Sequence, residues 1–132
     1  MTKMKIQAKF WKIEPAFRDD RGMIYDILEN ENIRHIGLII CEPGSTRANH
    51  YHKKATQWTY VIDGKIRIYT KDFNEKEGKA ESHVLGQGDI IKHPPYMIHA
   101  VEAIEKSTLL ILTDQPRVGN GYEEDTFRVK IA

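Results

Sequence analysis

Apolar residues along this chain fall in short alternating runs, not in the three-and-four spacing of an amphipathic helix. Residues 33–41, 56–62, 65–70, 84–85, 89–92 and 107–113 are rich in Ile, Val, Tyr and Leu and predict strands. Turn residues separate them, at Glu42-Pro43-Gly44-Ser45, Asp63-Gly64 and Gly86-Gln87-Gly88-Asp89. Asp-Gly favours a left-handed backbone, so Asp63-Gly64 predicts a two-residue hairpin joining 58–62 to 65–69. Residues 71–79 are polar and charged and read as an exposed loop, while Pro94-Pro95 reads as a break or bend. A short helix near 123–127 is the one helical signal. Many short strands with close-set turns predict an all-β barrel or sandwich, a single domain over residues 1–132.

Alternation assigns faces. On a strand over residues 47–52, Ala48, His50 and His52 share one side, and Arg47, Asn49 and Tyr51 the other. In the next strand Gln57, Thr59 and Val61 oppose Trp58, Tyr60 and Ile62; later, Met97, His99, Val101 and Ala103 share a face. If the histidine faces point inward, Trp58, Tyr60 and Ile62 point outward. Large apolar groups do not gather in water, so an N-terminal strand or a second subunit must cover them, and a homodimer is favoured.

Composition narrows the function classes. Lys and Arg number 20 against 19 Asp and Glu, which argues against nucleic-acid binding through a broad basic face. Cys41 is the single cysteine, so no intrachain disulfide forms. It lies in an apolar run and reads as a small buried hydrophobe. The segment Met1-Thr2-Lys3-Met4-Lys5 leads into alternation and not into a continuous apolar run, so neither a signal peptide nor a membrane span is expected and the chain is taken as cytoplasmic.

Six histidines are present, and their spacing carries the chemistry. His50 and His52, two apart on a strand, project both imidazoles to one side as a two-ligand bite. Gln57 opens the neighbouring strand and offers an amide oxygen. His99 arrives from a distant hairpin. Three neutral imidazoles and a carbonyl oxygen suit a divalent transition metal (Zn, Fe, Mn, Ni or Cu) better than Mg or Ca. With Gln57 in place of a carboxylate the protein neutralises none of the cation's charge, making the metal a stronger Lewis acid that is held less tightly. Gln57 serves equally as a hydrogen-bond partner that orients an imidazole. Arg47, Lys53 and Lys54 flank the pair and are candidates to receive a diphosphate, although alternation turns Arg47 away unless a bulge intervenes. Tyr96 is the candidate tyrosine acid. His35, His83 and His93 lack a matching partner and read as structural or exposed.

These residues carry a family resemblance. Gly44, His50, His52, Gln57 and Gly64 resemble the first cupin motif, with Gln57 where glutamate is usual. Gly88, Pro94 and His99 resemble the second, with Tyr96 replacing a glycine and Ala103 an asparagine. The resemblance implies a cupin jelly-roll barrel, a double-stranded β-helix, over essentially the whole chain. Asp20-Arg21-Gly22, with Arg47 to Lys54 and Gln57, is similar to the dTDP-sugar 3,4-ketoisomerases and, more distantly, to the dTDP-4-dehydrorhamnose 3,5-epimerases. In ketoisomerases the histidine pair acts as acid and base without metal, so this likeness implies His50 and His52 shuttling protons on a keto-sugar. His99 points instead toward a metal. Three functions follow: a metal-binding cupin of isomerase or epimerase type, with a lyase or a dioxygenase as further metal-dependent options; a metal-free dTDP-keto-sugar isomerase; and a non-catalytic module that binds a small molecule.

Overall fold

A computed structural model describes residues 6–75 and 78–132, so the expectation for Met1 to Lys5 lies outside the described residues. Strands dominate: β1 (Lys9–Lys12), β2 (Phe17–Asp19), β3 (Gly22–Ile24), β4 (His35–Cys41), β5 (Thr46–Tyr51), β6 (Gln57–Asp63), β7 (Lys65–Asp72), β8 (Glu81–Gly86), β9 (Asp89–His93), β10 (Met97–Ala103), β11 (Ser107–Thr113) and β12 (Phe127–Arg128), with a one-turn helix α1 (Gly121–Glu124). One five-stranded sheet runs β1-β9-β6-β11-β4 and the other β12-β5-β10-β7-β8, all antiparallel, while β2 and β3 form a separate hairpin. This is the jelly roll the motifs imply. Among the described residues no helix is long and apolar enough to cross a membrane.

The predicted strands are present, but one junction differs. β6 pairs with β9 and β11, and β7 with β8 and β10, so Asp63-Gly64 is a corner between sheets and not a hairpin turn. Gly64 has φ +94°, and a Cβ there would fall on Ser107 and within 2.5 Å of the Lys106 carbonyl oxygen. Ser107 Oγ fastens the corner, accepting from Lys65 N–H at 3.0 Å and donating toward the Lys65 and Glu105 carbonyls. The predicted loop at 71–79 starts late, because β7 continues through Asp72; residues 76 and 77 lie outside the described residues.

Inward residues of both sheets interlock as alternation demands. Cys41, Val61, Ile66, Ile68, Leu85, Ile91, Val101, Ala103, Leu109 and Ile111 form the core between them. Removing each Val or Ile from water contributes about 1.5–3 kcal/mol. A second cluster lies on the outer face of the first sheet, where Trp58, Ile90 and Leu112 are covered by Ile13 with Ile27, Leu28 and Ile33. The chain itself therefore covers Trp58. Cover stops short of β4, whose outward Ile36, Leu38 and Ile40 are each about 60% exposed.

Candidate functional site

The site begins at an irregularity in β5. His50 pairs with His99, but the next pair is Ala48 with Ala100, so Asn49 is an inserted residue. Ala48 and Asn49 take φ +71° and +54°. Asparagine tolerates that conformation, and this one ties its side chain to the main chain of the C-terminal residues: its Oδ1 accepts from Ile131 and Ala132 N–H at 2.8 and 3.0 Å. The bulge breaks strict alternation, so Arg47 and Ala48 border the same cavity as His50. That is the circumstance under which Arg47 returns to the site.

The cavity, about 300 Å³, opens between the sheets beside His50, His99, Gln57 and Thr59, with Ile39, Val101, Leu109 and Ile111 as an apolar wall. Arg47 and Arg117 are exposed at its mouth, and Tyr122 lies beside them. His50, His52 and His99 are all buried, and one ring nitrogen from each lies within 4.8 Å of the others. Ring centroids are 4.8 Å apart for His50 and His52, and 4.7 Å for His50 and His99. Two tautomers follow from carbonyl acceptors, which only a ring N–H can satisfy. His52 Nδ1–H donates to the Asp125 carbonyl at 2.8 Å, and His99 Nδ1–H to the Met97 carbonyl at 3.2 Å. Each Nε2 thus keeps its lone pair, and that of His99 is buried without a partner.

Burial dominates the electrostatics. It pushes His50 down to about 2, helped by the neighbouring His99 and His52, and His99 down to about 4. His52 is lowered by burial against the opposing pull of Asp125. Neutral imidazoles are the state a metal requires of its ligands. The donor set and the unpartnered His99 Nε2 therefore fit a divalent transition metal held by His50, His52 and His99. Gln57, whose Nε2 donates to Thr59 Oγ1 at 3.2 Å, borders the same space with its amide oxygen available.

Three of the predicted residues stand elsewhere. Tyr96, at φ +67°, packs with Tyr51 and Phe73, ring centroids 6.1 and 5.8 Å away, and does not border the histidine cavity. The left-handed backbone, in the place of a glycine, turns its ring toward that aromatic group. Lys53 and Lys54 are exposed and also lie off the cavity. The Lys53 ammonium rests 4.4 Å above the Phe127 ring, and both backbone N–H groups turn to the Asp125 carboxylate.

Four residues at or behind the site escape the sequence reading. His93 is fully buried, stacks on His99 at 4.4 Å with rings 20° apart, and has no hydrogen-bond partner at either nitrogen among the described residues. Its alternation with Ile91 before Pro94 was the available signal. Tyr122 has its ring 5.8 Å from His52 and 6.4 Å from His50, and the Arg117 guanidinium lies 3.9 Å over it. Asp125 holds the turn after His52. Arg117, Tyr122 and Asp125 sit in a stretch whose spacing carries no motif.

Comparison with known proteins agrees with this geometry. Residues 17–127 match the family model described as polysaccharide biosynthesis C-terminal domain. Among solved structures, a sugar 3,4-ketoisomerase from Thermoanaerobacterium thermosaccharolyticum in complex with TDP superposes with a TM-score of 0.73 at 20% identity, covering 92% of this chain and 87% of that one. A dTDP-4-dehydrorhamnose 3,5-epimerase from Sulfolobus tokodaii gives 0.71 at 16% identity, over 93% and 81%. Among curated proteins, an oxalate decarboxylase from Bacillus subtilis (strain 168) is 29% identical over 102 residues, 76% of this chain. The chain spans about a quarter (24%) of that relative's length. The fold is that of the RmlC-like cupins.

Proposed function

The chain belongs to the polysaccharide biosynthesis C-terminal domain family, and from that premise we propose that it is an isomerase or epimerase acting on a keto-sugar joined to a nucleoside diphosphate. The observation that carries this reading is one cavity bordered by the buried imidazoles of His50 and His99, which cluster with His52 within 4.8 Å, and rimmed by two exposed arginines. Arg47 and Arg117 form no ion pair with a described carboxylate, so both forks are free for a diphosphate. The apolar wall excludes water from the sugar ring and turns it toward the histidines. A 3,4-ketoisomerase of this fold from Thermoanaerobacterium thermosaccharolyticum holds TDP, and a mutant of the same enzyme holds TDP-4-keto-6-deoxyglucose, which supports a dTDP-sugar as the ligand.

His50, His52 and His99 would hold the divalent transition metal, with Gln57 beside them. When bound, it supplies a Lewis acid that polarises a carbonyl oxygen. Moving the ketone then needs a proton taken from the hydroxyl-bearing carbon and returned to the former carbonyl carbon, while the hydroxyl proton passes to the former carbonyl oxygen. Among the groups bordering the cavity, Arg47 and Arg117 are placed for the diphosphate, Gln57 and Thr59 do not exchange protons usefully, and the imidazoles are committed as ligands. Tyr122 is left as the proton carrier, in place of Tyr96. The catalytic pair His50 and His52 of the ketoisomerase likeness is the competing reading, with the same cavity and no metal.

The test is incubation with dTDP-4-keto-6-deoxyglucose in deuterated water, followed by NMR. Exchange beside the ketone is expected; no exchange together with no binding of any dTDP-sugar overturns the function. Elemental analysis of protein purified without a metal-affinity tag separates the two centres. Below about a tenth of a metal per chain, with no uptake on addition, the metal reading fails and the histidine pair takes its place. We also propose a cytoplasmic setting and a homodimer, the second copy covering the exposed row on β4.

A further inference from the structure

Asp125 makes an unusual number of contacts for one side chain outside the cavity. It is 9% exposed. Its carboxylate accepts three successive backbone N–H groups: Lys53 at 2.9 Å, Lys54 at 3.1 and 3.2 Å, and Ala55 at 3.0 Å. Those three residues are the turn that leads from His52 toward Gln57 at the head of β6. The same residue's main-chain carbonyl accepts His52 Nδ1–H at 2.8 Å. On its N-terminal side lies α1, which carries Tyr122, and Asp125 N–H donates to the Tyr122 carbonyl at 3.2 Å. One residue thus joins three things: the turn below a ring, the protonation pattern of that ring, and the arm bearing the tyrosine.

We propose that Asp125 is a positioning residue that fixes His52 in its Nδ1–H form and so aims Nε2 at the centre. The inference rests on the reading of His50, His52 and His99 as a ligand set, but its primary signature lies in the ring itself. Carbonyls accept and never donate, so holding Nδ1 against one leaves Nε2 as the bare nitrogen. A ring without that anchor distributes its proton between both nitrogens and rotates, and outer partners of this kind are worth about 10–100-fold in metal affinity. The carboxylate is what keeps the carbonyl in place. Asparagine in its position has only one accepting oxygen, and its NH2 group would face an N–H of the turn, so the turn must shift. A nearby carboxylate gives the control. Asp114 caps the same turn through Thr56 N–H at 2.8 Å, and its side chain is not among the hydrogen-bond partners of His52.

Long-range 1H–15N correlation spectra of the chelated full chain, with Zn2+ titration against a chelating dye, test this. In the unaltered chain His52 should give the signature of a single Nδ1–H form; a spectrum showing Nε2–H overturns the proposal without recourse to any variant. In Asp125→Asn the His52 signals should become those of a mixture while His99 keeps its own pattern. Zn2+ affinity should fall about 10–100-fold. Asp114→Asn should alter neither. Unchanged His52 signals and affinity in Asp125→Asn overturn the proposal, as does an equal change in Asp114→Asn. Absence of turnover on keto-sugars leaves these signatures intact and bears on the proposed reaction alone.

Discussion

Tyr122 and Tyr96 divide the chemistry at the level of single residues. Both are tyrosines beside histidines in a loose sense, but Tyr122 borders the cavity that holds His50 and Tyr96 packs on Tyr51 and Phe73. Tyr122→Phe removes one hydroxyl and keeps the ring beneath Arg117. It should slow deuterium exchange into the keto-sugar by about 100-fold or more, the range expected for losing a proton-transfer group. Tyr96→Phe should exchange at the rate of the unaltered chain, measured by NMR under the same conditions. Equal rates for both variants would remove Tyr122 from the reaction. The histidines were legible beforehand because motif spacing places His50, His52 and His99 directly. Tyr122 was not, since no period connects a one-turn helix at 122 to a strand at 50; only the fold brings the two rings within 6.4 Å.

Elements show where local sequence stops informing. The strands predicted over 56–62 and 65–70 were readable from β-branched residues and the turn between them. Their partners were not, because the Asp63-Gly64 signal is the same whether the chain folds back or crosses to a facing sheet. What selects crossing here is contact with Ser107, forty-odd residues away, whose Oγ and backbone occupy the place a side chain at 64 would take. Gly64→Ala should therefore destabilise the chain by about 2 kcal/mol or more, combining positive-φ strain with that clash, as read from denaturant midpoints. A cost below about 0.5 kcal/mol would mean the corner relaxes freely. β1 and the β2–β3 hairpin went unpredicted for a related reason: they are three or four residues long and largely exposed, so burial leaves little periodic trace. The hairpin turns at Asp20-Arg21, and its ion pair runs from Arg21 to Asp19 at 2.6 Å. In β5 strict alternation misplaced Arg47, since an inserted residue reverses the facing of what precedes it.

At the scale of the whole molecule, β4 presents an exposed apolar row. Ile36, Leu38 and Ile40 project from it, and among the described residues it has a strand neighbour on one side only. A homodimer through this surface should elute at twice the chain mass in size-exclusion chromatography with light scattering. Leu38→Lys should shift it to a monomer without lowering secondary-structure content. Elution of the unaltered chain as a monomer at all concentrations would dismiss the pairing. His93 also bears on stability across the molecule, its ring buried against His99 with neither nitrogen hydrogen-bonded to a described residue. A buried polar group without a partner costs about 1–3 kcal/mol, a sizeable fraction of the 5–15 kcal/mol that typically separates folded from unfolded chains. Hydrocarbon in place of that ring would give a protein that melts later, so heat resistance and a nitrogen-lined interior pull this sequence in opposite directions. Variants chosen purely for survival at high temperature should drift away from imidazole at position 93, and their loss of cation retention or turnover would reveal what the cooler, less comfortable interior was kept for.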